Sequence, residues 1–342
     1  MYLTSDNASG AAPEVMAALA RANQGYAPSY GADEIMDRVR GRIRDLFEAP
    51  EAEVYLVATG TAANSLSVAL YCPPWATCFC HTRAHIVEDE CNAPEFFAHG
   101  ARLSQVPGAH GRIDPEALQR TIGAAGGAVH HPQRGMLSLT NVTERGTVYS
   151  VAQVNELTAI AKGFGLPVHM DGARFANAIA ATGATPAEMT WRAGVDILSF
   201  GGTKNGLLGV EAVVMFDPSR AHEFELRRKR GAQLFSKHRY LSAQFEAYLT
   251  DDLWLRLAQK ANAAASRLAK GLATVEGVEF VDPVEANILF TEWNTGGHAA
   301  LARAGAAYYD MPAGPGREGA RLVTSWSTTD DDVDAFVAAL KR

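Results

Sequence analysis

The sequence predicts an α/β fold with a mostly parallel sheet and a smaller α+β unit at its C-terminal end. Three observations carry this expectation. Short apolar runs at Glu53–Ala58, Pro167–Asp171 and Val195–Phe200 read as buried strands. Segments with helical spacing alternate with them, the pattern of a parallel sheet whose crossovers are helices. After about residue 245 the alternation gives way to one long Ala-rich helix and several short strands. The expected division is therefore a large domain over 1–245 and a small one over 246–342.

Each element has its own signal. Asp33–Glu48 carries Ile35, Val39, Ile43 and Leu46 at helical spacing. Its Arg38, Arg40, Arg42 and Arg44 alternate with acids, which describes a solvated helix face. In Glu53–Ala58, Val54, Leu56 and Val57 form a buried strand that runs into Thr59-Gly60-Thr61-Ala62-Ala63-Asn64, and Ser65–Leu70 then suits a helix. Val151–Gly165 places Val154, Leu157 and Ile160 or Ala161 on one face, with Ser150 as its cap and Gly165 as its end. The strand Pro167–Asp171 ends in an acid, Val195–Phe200 ends in Gly201-Gly202, and Val210–Phe216 follows as another strand. In the small domain, Leu253–Thr274 is an amphipathic helix, Val278–Val281, Asn287–Phe290 and Arg321–Trp326 are strand candidates, and Asp330–Leu340 is the last helix. The Gly/Pro-rich Met311–Gly319 reads as a loop.

Composition narrows the function. The 342 residues are 47% hydrophobic and 20% charged, with a formal charge of −7. That is a folded globular composition and not a disordered one. The acidic balance argues against a nucleic-acid partner, which needs a clustered Lys/Arg surplus. No apolar run approaches the roughly 20 residues a membrane helix needs, and Met1–Asn7 lacks the basic and apolar regions of a signal peptide. Cys72, Cys78, Cys80 and Cys91 have neither CxxC spacing nor accompanying His, so no metal site is expected. They read as reduced cysteines of a cytoplasmic protein.

The chemistry-bearing residues fall where strands end, which is where open α/β sheets bind ligands. Gly60-Thr61 opens a helix after a strand. A helix start offers free N–H groups and a positive dipole end to an anion. The absence of GxGxxG and of Gly-Lys-Ser/Thr argues against a nucleotide. Asp171 closes its strand within His169-Met170-Asp171-Gly172-Ala173-Arg174. Lys204, one of only seven lysines, sits in Phe200-Gly201-Gly202-Thr203-Lys204-Asn205-Gly206 directly after another strand. Taken singly, a helix start, a strand-end Asp and a turn lysine are ordinary. Together they supply what pyridoxal phosphate needs: an anion site for its phosphate, a carboxylate that keeps its pyridine nitrogen protonated, and an amine for its aldehyde.

At these residues the sequence resembles the threonine aldolases among fold-type I pyridoxal-phosphate enzymes, in particular the low-specificity L-threonine aldolases. The resemblance is carried by Met170–Arg174, Phe200–Gly206 and Gly60–Asn64. It is also carried by Ser5-Asp6-Asn7, Tyr30-Gly31, Ala84-His85 with Asp89-Glu90-Cys91, and Arg321–Thr324. It runs from residue 5 to about 327, with the motifs in order.

The resemblance implies an aspartate-aminotransferase-like large domain and a set of roles. Lys204 would form the Schiff base and Asp171 would pair with the pyridine nitrogen. Gly60, Thr61 and Thr203 would hold the phosphate, and His85 would stack on the ring. Arg174 would lie near the ring hydroxyl and the substrate carboxylate. Ser5 and Arg321 would bind that carboxylate, a task suited to the planar guanidinium fork. Tyr30 and Lys229 would reach the site of a neighbouring subunit, which implies a homo-oligomer, a tetramer by resemblance. His130, in Val129-His130-His131-Pro132, matches a second active-site histidine, on the reading that this stretch is a strand with one of the two side chains facing the site. Thr140–Thr147 departs from the Glu-Asn-Thr-His form of many relatives and marks a distinct branch.

The implied reaction is retro-aldol cleavage of a β-hydroxy-α-amino acid to glycine and an aldehyde, with His85 or His130 as the base. The alternative is β-elimination, racemisation or transamination, all of which use the same Lys, Asp and phosphate site.

Overall fold

A computed structural model describes residues 1–341. Seven strands form the main sheet: β1 (Glu53–Val57), β2 (Ala76–His81), β3 (Arg102–Val106), β4 (Gln133–Thr140), β5 (Val168–Gly172), β6 (Ile197–Phe200) and β7 (Glu211–Met215). Their order is β1-β7-β6-β5-β4-β2-β3. The ladder from β3 to β6 is parallel, and β7 alone runs antiparallel, to β6 on one side and β1 on the other. The C-terminal ends of β1 through β6 therefore share one edge. β2, β5, β6 and β7 are buried along their whole length, as strands covered by helices on both faces must be. Helices Gly60–Tyr71, Val151–Gly163 and Phe175–Thr182 supply part of that cover.

A second sheet is antiparallel, with β8 (Glu279–Phe280), β9 (Ile288–Asn294), β10 (Tyr309–Met311) and β11 (Arg317–Val323) in the order β10-β11-β9-β8. Each sheet has its own hydrophobic core. The 20-residue helix Leu253–Leu272 joins them, with Leu253, Trp254 and Leu257 in the large core and Ala265, Leu268 and Leu272 in the small one. The chain's first residues also belong to the small core: Leu3 is fully buried there, donates its N–H to the carbonyl of Ala307 (2.8 Å) and accepts from Val323 (2.9 Å). This pins Ser5 and Asp6 between the two sheets.

Several expected boundaries differ. β11 begins at Arg317 and ends at Val323, so Arg317–Gly319 is strand and not loop. Gly319 there lets two strands approach closely, since a Cβ would stand 2.7 Å from the carbonyl oxygen of Met311. Strands β2, β3 and β4 carry too little alternation to stand out in the sequence, and β3 is a half-exposed edge. Among the described residues no helix is long and apolar enough to cross a membrane. All four cysteines are free, three of them buried.

Candidate active site

Helix Gly60–Tyr71 starts at the C-terminal edge of the main sheet. Thr59 caps it, its hydroxyl accepting the N–H of Ala62 (3.1 Å) and its carbonyl that of Ala63. The N–H groups of Gly60 and Thr61 are the first two of the helix and have no carbonyl one turn earlier to bond. Beside Gly60 no heavy atom lies within 4 Å of where a Cβ would stand. The helix start thus opens on free space with its positive end bare.

Across that space stands Asp171, near the end of β5 and 3% exposed. One of its carboxylate oxygens accepts the N–H of Ala173 (3.0 Å) and the other the amide of Asn64 (2.8 Å). Asn64 donates equally to Glu90 (2.8 Å), and Glu90 bonds Nδ1 of His85 (2.8 Å). One chain of hydrogen bonds therefore fixes both Asp171 and His85. The bond to Glu90 raises the His85 pKa above its ordinary value, against the opposing effect of burial.

Lys204 lies on the short 3-10 turn Thr203–Asn205 that follows β6. Gly201 and Gly202 are required for that turn to pack. A Cβ on Gly201 would collide with the Ala173 carbonyl, and one on Gly202 with Leu207. Asn205 anchors the turn through the hydroxyl of Tyr248 and the carbonyl of Trp254, both at 2.7 Å. Buried Glu211 accepts the N–H of Gly202 (2.6 Å), and its carboxyl, desolvated by burial, is pushed up to about 7.

These groups line one cavity of about 250 Å³: Gly60, Thr61, His85, Asp171, Thr203 and Lys204 are all in its wall. A larger surface groove of about 560 Å³ near Leu66, Phe96 and Leu226 has no such convergence of reactive groups. The cavity fits pyridoxal phosphate on its donor set. A bare helix start faces the phosphate's charge, an amine is available to its aldehyde, and a fixed carboxylate is available to its ring nitrogen.

Ser5, Arg174 and Arg321 are not in that wall; they gather around residues 4–7, of which Asn7 is in the wall. Buried Arg174 is bound in a two-pronged ion pair to Asp6 (2.6 and 2.9 Å), and Asn287 also bonds Asp6 (3.0 Å). Burial alone would raise the Asp6 pKa, but the charge and hydrogen bonds of Arg174 outweigh it and hold Asp6 below its ordinary value. Arg321, on β11, donates to the carbonyl of Thr4 (3.4 Å), and burial together with the nearby Arg174 charge lowers its pKa. Ser5 caps the turn Asp6–Ala8 by accepting the N–H of Asn7 (3.1 Å).

His130 is not brought to this cavity. Val129–Pro132 is an irregular turn before β4, not a strand, and His130 is exposed there beside Trp75 and Pro132. β4 then runs eight residues to Thr140, whose register partner is Asp171, so about 25 Å of strand separates His130 from the site. A contribution from His130 would have to be made to another copy of the chain. Tyr30 and Lys229 also lie outside the cavity wall. They meet each other on the surface, with the ammonium 5.1 Å from the centre of the Tyr30 ring.

The sequence motifs contained Asp6, Asn64, Glu90 and Glu144 without assigning them roles, and Glu211 was unmarked. No shared local pattern marks them: Asp6 is in an N-terminal turn, Asn64 inside a helix, Glu90 after a short helix, Glu144 in the loop after β4 and Glu211 at the start of β7.

The fold and the cavity together define a pyridoxal-phosphate enzyme of fold-type I. The beta-eliminating lyase profile matches residues 2–295. The chain is 42% identical over 324 residues to the low specificity L-threonine aldolase of Pseudomonas aeruginosa, covering 95% of this chain and 92% of that protein. It is 40% identical over 337 residues to the low specificity L-threonine aldolase of Pseudomonas sp. strain NCIMB 10558, covering 98% and 96%. The solved Leishmania major threonine aldolase superposes with a TM-score of 0.93 over 100% of this chain and 98% of that one, at 26% identity. The chain belongs to the beta-eliminating lyase family, alongside the threonine aldolases.

Proposed function

We propose that this chain is a pyridoxal-phosphate-dependent aldehyde-lyase. It cleaves L-threonine, L-allo-threonine and related β-hydroxy-α-amino acids such as L-phenylserine to glycine and an aldehyde. The observation that carries the reading is the placement of Lys204, Asp171, His85 and the bare start of helix Gly60–Tyr71 in one cavity wall, in a chain closely similar to two low specificity L-threonine aldolases.

Pyridoxal phosphate, when bound, supplies an aldehyde that captures the substrate amine and a ring that draws electrons from the bond being broken. The chain's own residues do the rest. Lys204 would hold the cofactor through its amine. Asp171 keeps the proton on the ring nitrogen, its carboxylate oriented by Asn64 and the Ala173 N–H. Gly60, Thr61 and Thr203 hold the phosphate, and His85 offers its flat face to the ring. Ser5, Arg174 and Arg321 hold the substrate carboxylate, which selects the Cα bond placed for cleavage; such positioning supplies several kcal/mol.

The protein is read as a cytoplasmic homo-oligomer, a tetramer, with Tyr30 and Lys229 serving a neighbouring subunit's site. The exposure of the Tyr30 ring beside Lys229 supports that reading, and light scattering coupled to size exclusion tests it.

The deciding experiment incubates purified holoenzyme with L-threonine, L-allo-threonine and L-phenylserine and scores the products. Glycine with the matching aldehyde is expected. A keto acid with ammonia, or a racemised amino acid, would assign the site to a different reaction of the same fold.

A further inference from the structure

We propose that Glu144 is the group that takes the proton from the substrate's β-hydroxyl, an inference that rests on the retro-aldol reading above. Its place in the chain puts it there. β4 ends at Thr140 beside Asp171, and the N–H of Asn141 bonds the Asp171 carbonyl (3.0 Å). The loop beyond is a closed turn. Thr143 and Thr147 bond through backbone (2.9 Å) and hydroxyls (2.8 Å), and Gly146 returns its N–H to Thr143 (2.9 Å). Gly146 has φ +78, and a Cβ there would run into the Ile288 carbonyl, so the loop is seated against β9. Arg145 points away to the small domain, bonded to Asp282 (2.8 Å) with its guanidinium 3.8 Å from the centre of the Phe290 ring. Its neighbour Glu144 faces the opposite way and lines the cavity with Lys204, His85 and Asp171.

The other carboxyl groups near the site are committed. Asp171 serves Asn64 and Ala173, Glu90 serves His85 and Asn64, Glu211 serves Gly202, and Asp6 serves Arg174 and Asn287. Among the described residues Glu144 has no hydrogen-bonding or ion-pair partner, although it faces Lys204 from the β6 turn, Arg174 and Asp171 from the β5 edge, His85 from its short helix and Arg321 from β11. Burial raises its pKa above the ordinary carboxylate value, against the lowering effect of those cations, which strengthens it as a base. His85, with its Nδ1 held by Glu90 (2.8 Å), is already assigned to stack on the cofactor ring.

The step balances. The β-hydroxyl proton passes to the Glu144 carboxylate and the oxygen lone pair closes the aldehyde carbonyl. The Cα–Cβ electron pair is left on Cα, which takes one proton from solvent to become the methylene of glycine. The proton on Glu144 leaves to solvent with the aldehyde.

The test compares wild type with Glu144→Gln and Glu144→Ala on L-threonine. Expected is a fall in kcat of about 10²–10⁴-fold, with pyridoxal phosphate and glycine affinities, read by absorbance titration, within twofold of wild type. The acid limb of the kcat–pH profile disappears in Glu144→Gln, and added formate restores part of the rate to Glu144→Ala. A kcat within threefold of wild type, an unchanged acid limb, absence of formate rescue, or loss of cofactor affinity would each overturn the assignment. If wild type itself releases no glycine, the functional reading fails; if wild type and Glu144→Gln both release it at similar rates, only the role of Glu144 fails.

Discussion

The side chains of Asn64 and Asp171, 107 positions apart in sequence, are joined by a 2.8 Å hydrogen bond. The same Asn64 nitrogen bonds Glu90, which holds His85. A helix residue thus sets the orientation of both groups assigned to the cofactor ring. Asp171→Asn keeps the shape and the Ala173 contact but removes the charge. A folded protein with kcat reduced at least about 100-fold is expected, read by circular dichroism and steady-state kinetics together. An unchanged rate would mean that another group protonates the ring.

Arg174 and Asp6 tie the chain's N-terminal segment to the edge of the main sheet, and both are buried. Breaking a buried pair from one side leaves the other charge uncompensated, at a cost of about 3–5 kcal/mol. Asp6→Ala is expected to lose stability of that order in urea melts. A loss under about 1 kcal/mol would show that the guanidinium finds another partner.

Among the described residues Arg321 is tied only by a long 3.4 Å bond to a carbonyl, which leaves its guanidinium able to grip a substrate carboxylate. Arg321→Ala is expected to raise KM strongly for every amino-acid substrate while changing kcat less. An unaltered KM would remove Arg321 from the carboxylate site.

Glu211 gives a pH signature in the cofactor-free protein. Its folded-state pKa of about 7 lies above the 4.5 of an ordinary glutamate, so the folded form binds the proton more tightly. The stabilisation is complete below pH 4.5 and is lost as pH rises through 7. The shift corresponds to roughly 3–3.5 kcal/mol. Relative to wild type, Glu211→Gln is expected to gain stability as pH rises from 4.5 to 8, measured by paired urea melts. A difference between the two that does not vary with pH would show that Glu211 stays ionised.

Much of this site is visible in the sequence because strand ends are marked by local chemistry. Gly201-Gly202 before Lys204 and the acid closing Pro167–Asp171 are consequences of tight turns that any reader of the chain meets in order. The reading of Val129–Pro132 as strand fails for an equally local cause. Two histidines before a proline resemble strand alternation, and only the pairing of Gln133 with Ala76 shows that β4 starts three residues later. Glu144, Glu211 and Asn64 were silent for a different reason. Asn64 matters through Asp171, 107 positions away, and Glu144 and Glu211 through the cavity they line; no periodicity encodes which side chains face one cavity.

The most direct test is chemical trapping. Holoenzyme reduced with borohydride, then digested and mapped by mass spectrometry, is expected to carry one reduced pyridoxyl phosphate on Lys204. Lys204→Ala should carry none and release no glycine from L-threonine. An adduct confined to another lysine, or full turnover by Lys204→Ala, would contradict the central assignment.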